Sequence, residues 1–319
     1  MPVVVTLAAA SLLGLLALLG GCERSGRTVA GAAGAAGGPC PRPYSPASPW
    51  NRPIGAGARR AGGLRVPGPL TSDPTQYTYP VYRVRGDTPR RSLRVDGVYS
   101  NVTDGGRRLS LAQRVRLRVP IPRSVEAAAG SDAQVVLVDP ATGDEWGAWQ
   151  LRREGNGYRA QNAYHYNTRW SGVPPRTGDG RPFGSRGAGV PYLAGLVRPC
   201  EIARGRIDHA LAFAYDSPSP AHVYPATKSD GTGSGAAALP EGTRLQLDPS
   251  LSAGRIRSWG CRGACFTVAR ALQRYGMFVI DASGRPKVMF EYAGTARWRG
   301  VVHASTVSPI PLSALRVVR

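Results

Sequence analysis

Short runs rich in Val, Tyr, Leu and Arg recur along this chain between Gly, Pro and Asp, and they restrict its fold more than any other feature. They include YTYPVYRVRG, LRVDGVYSNV, RVRLRVPIP, AQVVLVDP, EWGAWQLRRE, GYRAQNAYHYN, RIDHALAFAY, TRLQLDP, MFVIDASG and KVMFEYAG. Runs of this length and composition, bounded by turn formers, predict strands. So many strands with Gly- and Pro-rich loops predict an all-β fold, a single sandwich of the jelly-roll or concanavalin-like kind. The run RVRLRV sets Val115, Leu117 and Val119 against Arg114, Arg116 and Arg118, the pattern of an antiparallel strand with one wet face. One segment has the helical step instead. In GACFTVARALQRYG, Phe266, Ala269, Leu272 and Tyr275 share a face and Gly276 supplies a stop, so a helix near 263–276 is expected to cap one open end.

The first 21 residues are apolar or small and end at Cys22, followed at once by Glu23 and Arg24. This is the pattern of an export signal, and LGGC at its end resembles the lipobox of bacterial lipoproteins, with Cys22 as the lipidated residue. A plain cleaved signal is the alternative. Residues 22–39 are Gly- and Ala-rich with nothing to bury, and so predict a flexible tether. The expected location is the outer face of the cell membrane, held by a lipid anchor alone, or otherwise the medium. Residues 40–319, about 280 in number, suffice for one large β domain and carry no second linker of that kind. Four cysteines remain in the body, and an even count in an exported chain favours two disulfides. The short loop CRGAC suggests Cys261 with Cys265, leaving Cys40 to clamp the amino end to Cys200.

The net charge of +21 invites a nucleic-acid reading, which the arrangement of the charge argues against. Lys228 and Lys287 are the only lysines among 41 basic residues, and the arginines are scattered, with no basic helix, finger spacing or RNA-binding aromatic motif. In the compartment the signal implies, the same charge suits an acidic polysaccharide or an anionic cell-wall polymer.

Signatures of nucleotide binding, of serine hydrolases and of zinc proteases are missing, and His165, His209, His222 and His303 are not spaced as metal ligands. No cofactor and no metal are therefore expected. What stands out is the stretch from Trp146 to Trp170, which also holds Trp149, Tyr158, Tyr164 and Tyr166. Sugar rings pack their C–H faces on such side chains. Within GYRAQNAYHYN the pleat separates Tyr158, Asn162, Tyr164 and Tyr166 from Arg159, Gln161, His165 and Asn167, and the polar face suits a polyol or uronate. Trp146, Trp149, Arg159, Gln161, Tyr164, Tyr166 and Asn167 are thus the expected substrate-binding residues.

The stretch EIARGRIDHALAFAY alternates Ile207, His209, Leu211, Phe213 and Tyr215 with Arg206, Asp208, Ala210, Ala212 and Ala214. His209 admits two readings: a core histidine satisfied by one hydrogen bond, or a base on the floor of a groove with Glu201 as the acid at the strand's entrance. Asp208 beside Arg206 suggests a structural ion pair. The loop YPATKSDGTGSG offers Lys228 and Asp230 on what reads as a mobile scaffold loop, and an ammonium in an arginine-writing chain can act as base or clamp. Glu241 and Asp248, flanked by turn formers, read as surface loop residues. The expected catalytic set is Glu201, His209, Asp230, His165 and Lys228.

Taken together, SPWNRPIG, YLAGLVRPCEIARGRIDHALAFAY, PEGTRLQLDPS and ALQRYGMFVIDASG resemble a family of uncharacterised secreted proteins of actinobacteria and other soil organisms. The resemblance covers most of the body and implies one extracellular domain, with fold-level similarity to jelly-roll glycan-active enzymes. The expectation is a monomeric enzyme cleaving a polysaccharide, as a glycoside hydrolase or a lyase. The alternative is a non-catalytic lipoprotein that holds a glycan or cell-wall polymer.

Overall fold

The chain is described here by a computed structural model over residues 40–63, 66–103, 108–175 and 183–319. The signal, lipobox and tether expectations for residues 1–39, Cys22 among them, lie outside those residues. The Val- and Arg-rich runs become strands and the Gly and Pro between them become turns. In chain order they are β1 (Arg60–Gly63), β2 (Val81–Arg83), β3 (Arg90–Thr103), β4 (Arg108–Pro120), β5 (Val135–Val138) and β6 (Asp144–Trp149). β7 (Arg152–Glu154), β8 (Gly157–Ala160) and β9 (Asn162–Asn167) follow, then α1 (Pro199–Ala203), β10 (Leu211–Tyr215), β11 (Ser219–His222), β12 (Pro240–Glu241) and β13 (Arg244–Leu247). The chain ends with α2 (Ala253–Ser258), α3 (Ala264–Arg274), β14 (Met277–Ala282), β15 (Lys287–Val288) and β16 (Leu315–Val318).

The result is β-rich and sandwich-like, with few helices. One sheet runs β1-β16-β13-β14-β10-β15, and a second runs β2-β5-β6-β9-β3-β8-β7 with β4 added to β3. The strand order differs from the antiparallel winding expected of a jelly roll. Among the described residues five strand pairs are parallel: β2 with β5, β3 with β8 and with β9, β10 with β14, and β11 with β12. Parallel partners need long crossovers, and that from β10 to β14 carries β11 to β13, α2 and α3.

Both faces of β10 are buried, which explains its all-apolar sequence. Leu211 and Phe213 join Leu245, Met277 and Val279 under Val268, Ala269 and Leu272 of α3. The expected helix is therefore present, but it covers a sheet face instead of closing an open end, because an exposed row of Leu, Phe and Met needs a cover of that width. On the opposite face the small residues Ala212 and Ala214 join Tyr164 and Tyr166 of β9, Phe278 and Ile280 in a second core cluster, where Gly147 of β6 leaves space for the Tyr164 ring. Small side chains on one sheet and large rings on the other interdigitate. Helices α1 and α2 are too short to show a period in sequence.

The two disulfides join Cys40 to Cys200 and Cys261 to Cys265, with Cα separations of 5.6 Å and 5.1 Å. The first ties the start of the body to α1, and the second closes the turn into α3. Both fit an oxidising, extracellular setting. Among the described residues no helix is long and apolar enough to cross a membrane.

Candidate active site

The carboxyl ends of the parallel pair β10 and β14 are where the ionisable side chains converge. Asp281 terminates the apolar run of β14 and pairs in register with Ala214. Over this end runs the segment 183–190, pinned by Ala188 N–H donating to the Ile280 carbonyl at 2.9 Å and by Gly187 N–H donating to Asp281 Oδ1 at 3.2 Å. The loop after β11 crosses on top, with Thr227 N–H donating to the Ala188 carbonyl at 2.8 Å and Lys228 Nζ donating to the Arg186 carbonyl. The chain past β12 lies against β14, where Gly242 N–H donates to the Val279 carbonyl at 2.7 Å. That brings Glu241 to the same point. Oxygens of Asp230, Glu241 and Asp281 lie within 4.8 Å of one another.

Glu241 is fully buried, and neither of its carboxyl oxygens meets a hydrogen-bond donor. Gly187 leaves the space: a Cβ there would clash with both Asp230 Oδ1 and Glu241 Oε1. Asp230 is the exposed member through which the cluster meets solvent. Burial, then the charges of Asp230 and Asp281, push the Glu241 carboxyl up to about 9, with Lys228 pulling the other way. Burial and the Asp230 carboxylate likewise raise Asp281, against Arg186 and Lys228. Packed carboxyl groups cannot all ionise, so the cluster holds protons at neutral pH.

Arg186 steadies this arrangement from behind. Its buried guanidinium lies 4.5 Å from the centre of the Tyr79 ring and donates to Tyr79 Oη at 3.1 Å and to the Ala194 carbonyl at 2.7 Å. A further short hydrogen bond reaches the Tyr192 carbonyl. Its neighbour Gly187 thereby holds a fixed place against the carboxyl groups.

The expected catalytic residues fall in three places. Lys228 and Asp230 belong to the cluster. Glu201 and His209 meet each other, His209 Nε2 lying 2.8 Å from Glu201 Oε1, but both are buried and Glu201 sits in α1, not at a strand entrance. Nδ1 of His209 lies 2.9 Å from the Ala210 carbonyl, which can only accept. Both ring nitrogens thus face acceptors, the arrangement of an imidazolium. Burial alone would lower this imidazole, and the Glu201 carboxylate outweighs it and raises it. Glu201 Oε2 also accepts the Arg198 N–H at 2.9 Å, so the pair is saturated. His209 precedes the first residue of β10, whereas Asp281 pairs with Ala214 near its other end, three strand residues or about 10 Å beyond Leu211 at ~3.3 Å per residue. The structure does not bring Glu201 to Asp230.

His165 lies apart from both, 2.9 Å from Asp144 Oδ1 and stacked on Trp146. The expected aromatic face is divided, because GYRAQNAYHYN folds as two strands, β8 and β9. Tyr164 and Tyr166 are core residues at 1% exposure each, Tyr164 donating to Glu145 Oε1 at 2.6 Å. Trp146 packs against the second sheet's own core, and Trp149 Nε1 donates to Asp132 Oδ1 at 3.2 Å. Arg159 pairs with Asp96, Asn167 donates to the Thr142 carbonyl at 3.1 Å, and Gln161 is exposed between β8 and β9. Asp208 does form the expected ion pair with Arg206, at 2.9 Å.

From sequence Glu241 reads as a surface loop residue, whereas it is fully buried in β12, and neither Asp281 nor Gly187 is singled out. Glu241 sits in PEG, which imitates a surface turn. Asp281 did leave a signal: an aspartate closing the apolar run MFVI stands where ligands gather, at the carboxyl end of a buried parallel strand. Comparison with protein-family models, with curated proteins and with solved structures returned no match.

Proposed function

We propose that this chain is an extracellular carbohydrate-active enzyme, anchored through Cys22, that hydrolyses a polysaccharide at the Asp230–Glu241–Asp281 cluster. The observation that carries the reading is Glu241, a fully buried carboxyl group without a donor, held protonated up to about 9 against two others. Asp230 is the member that touches substrate. Glu241 supplies the proton that passes to the leaving-group oxygen as the glycosidic bond breaks, and the carboxylate it leaves takes a proton from the attacking water. Lys228, engaged with the Arg186 carbonyl, serves as counter-charge, which favours hydrolysis over elimination by a lysine base. Tyr224, 69% exposed on the loop beside Glu241, supplies a ring for a sugar face.

The test is incubation of the purified chain with neutral and acidic polysaccharides, reading new reducing ends and ultraviolet-absorbing unsaturated ends. Reducing ends alone are expected, lost by about 10²-fold or more in Glu241→Gln and Asp230→Asn, in line with the usual worth of acid–base groups. Full activity in Glu241→Gln overturns the reading, and retention of glycan without cleavage leaves the binding alternative. The two unpartnered oxygens of Glu241 also favour a second reading, a site for a hard divalent cation. A rise in melting temperature with Ca²⁺ that Glu241→Gln abolishes would support it.

A further inference from the structure

The RVRLRV run is not used by the carboxyl cluster, and the fold gives it a specific setting. Across the β3–β4 ladder, Ser92 faces Arg118 and Arg94 faces Arg116, while Leu93 faces Leu117. Leu93 turns into the core, so the arginines share the outer face. Arg90, Arg116 and Arg118 of this face line, with Asn156 and the carboxylate Glu154, an open groove of about 340 Å³ that Arg91 and Tyr158 border from the core-facing side, a size within the ~300–1,000 Å³ of ligand sites.

The cations of this face are treated unequally. Arg94 pairs with Asp96 at 3.1 Å and Glu154 at 3.0 Å, and Arg159 also pairs with Asp96. Arg90 donates to the Arg118 carbonyl at 2.9 Å and Arg116 to the Ser92 hydroxyl at 3.4 Å, and neither they nor Arg118 form an ion pair with a carboxylate among the described residues. Like charges side by side on one sheet face cost stability. We propose that this groove binds an acidic polysaccharide through its carboxylate groups. Guanidinium forks match carboxylates bidentately. Arg116 and Arg118, two residues apart, space their charges at ~7 Å along the strand, which suits a chain carrying repeated anions better than a single ion. The choice of a polysaccharide over a nucleic acid rests on the glycan reading above, but the groove is separate from the carboxyl cluster and binding here requires no turnover.

The experiment measures retention of the full chain in gels containing polygalacturonate, dextran or no polymer, with duplex DNA as a competitor, across a salt series. Polygalacturonate should retard the wild type, with the effect weakening as salt screens the charges. The Arg90→Gln/Arg116→Gln/Arg118→Gln variant should lose affinity by about 10-fold or more, the scale of lost charge-assisted contacts. A control with the same net charge, Arg262→Gln/Arg285→Gln/Arg297→Gln, should bind like the wild type, and so should Glu241→Gln. Equal losses in both triple variants would overturn the proposal, since whole-molecule charge would then account for retention. So would equal retardation by dextran, or competition by DNA as strong as by free polygalacturonate. Binding without cleavage sinks the hydrolase and leaves this groove standing; cleavage with intact binding in the groove variant does the reverse.

Discussion

Two buried glutamates lie toward opposite ends of β10, and they differ in almost everything but burial. Glu201, 3% exposed, receives His209 and the Arg198 N–H, so each oxygen has a partner. Glu241, fully buried, has no hydrogen-bond partner on either oxygen, and burial beside Asp230 and Asp281 favours its protonated form. Glu145 sides with Glu201: one oxygen takes Tyr164 Oη and the Leu193 N–H, and the other takes Tyr44 Oη at 2.9 Å. Burial by itself therefore says little about function. A buried acid that the fold has saturated is a structural joint, whereas one left unsaturated beside a solvent-facing carboxylate can exchange its proton.

The largest effect should come from the saturated pair. Glu201→Ala leaves a buried imidazolium without its counter-ion and should cost about 3–5 kcal/mol, the usual penalty for breaking a buried ion pair, measured by denaturant unfolding at pH 6. A loss below about 1 kcal/mol would erase the contrast between the two ends.

The unsaturated end should behave in the opposite sense. Because folding raises the Glu241 carboxyl to about 9, the folded state binds its proton more tightly than the unfolded chain. Its contribution is then fully present below the ordinary carboxylate range and is lost as pH rises toward 9. Glu241→Gln removes that loss and should stabilise the protein by about 1–3 kcal/mol at pH 8, the scale of a buried unsatisfied polar group. The gain should shrink toward pH 4.5, as thermal unfolding across pH would record. His209 adds a slope of the same sign: its raised imidazole stabilises below the ordinary histidine range, and that contribution fades as pH rises through the raised value. This slope should persist in Glu241→Gln. The smallest effect is expected at Asp208, whose pairing with Arg204 and Arg206 lies at the surface. Asp208→Asn should change stability by no more than about 1 kcal/mol.

Much of the fold was legible locally. Leu93 and Val95 alternating with Arg94, or Val268 and Leu272 spaced for a helix, are properties of a few neighbouring residues, and those periods survive into β3 and α3. The cysteine pairings followed from count and spacing. The aromatic stretch misled because period two distinguishes the faces of a strand without saying which face another sheet will cover. Tyr164 and Tyr166 are core because a distant strand carrying Ala212 and Ala214 packs into the same cluster, and Gly147 of the neighbouring strand leaves the Tyr164 ring its space.

The sequence by itself determined that this chain would be β-rich, bridged by two disulfides and strongly cationic, since each rests on composition, spacing or local period. Only the tertiary structure decided the site. Lys228 and Asp230 were visible as a pair, but their partners Glu241 and Asp281 arrive on separate strands, and Gly187 on a loop pinned to the end of β14. Parallel pairing across a long crossover brings such residues together, and no local pattern encodes which strand ends will meet.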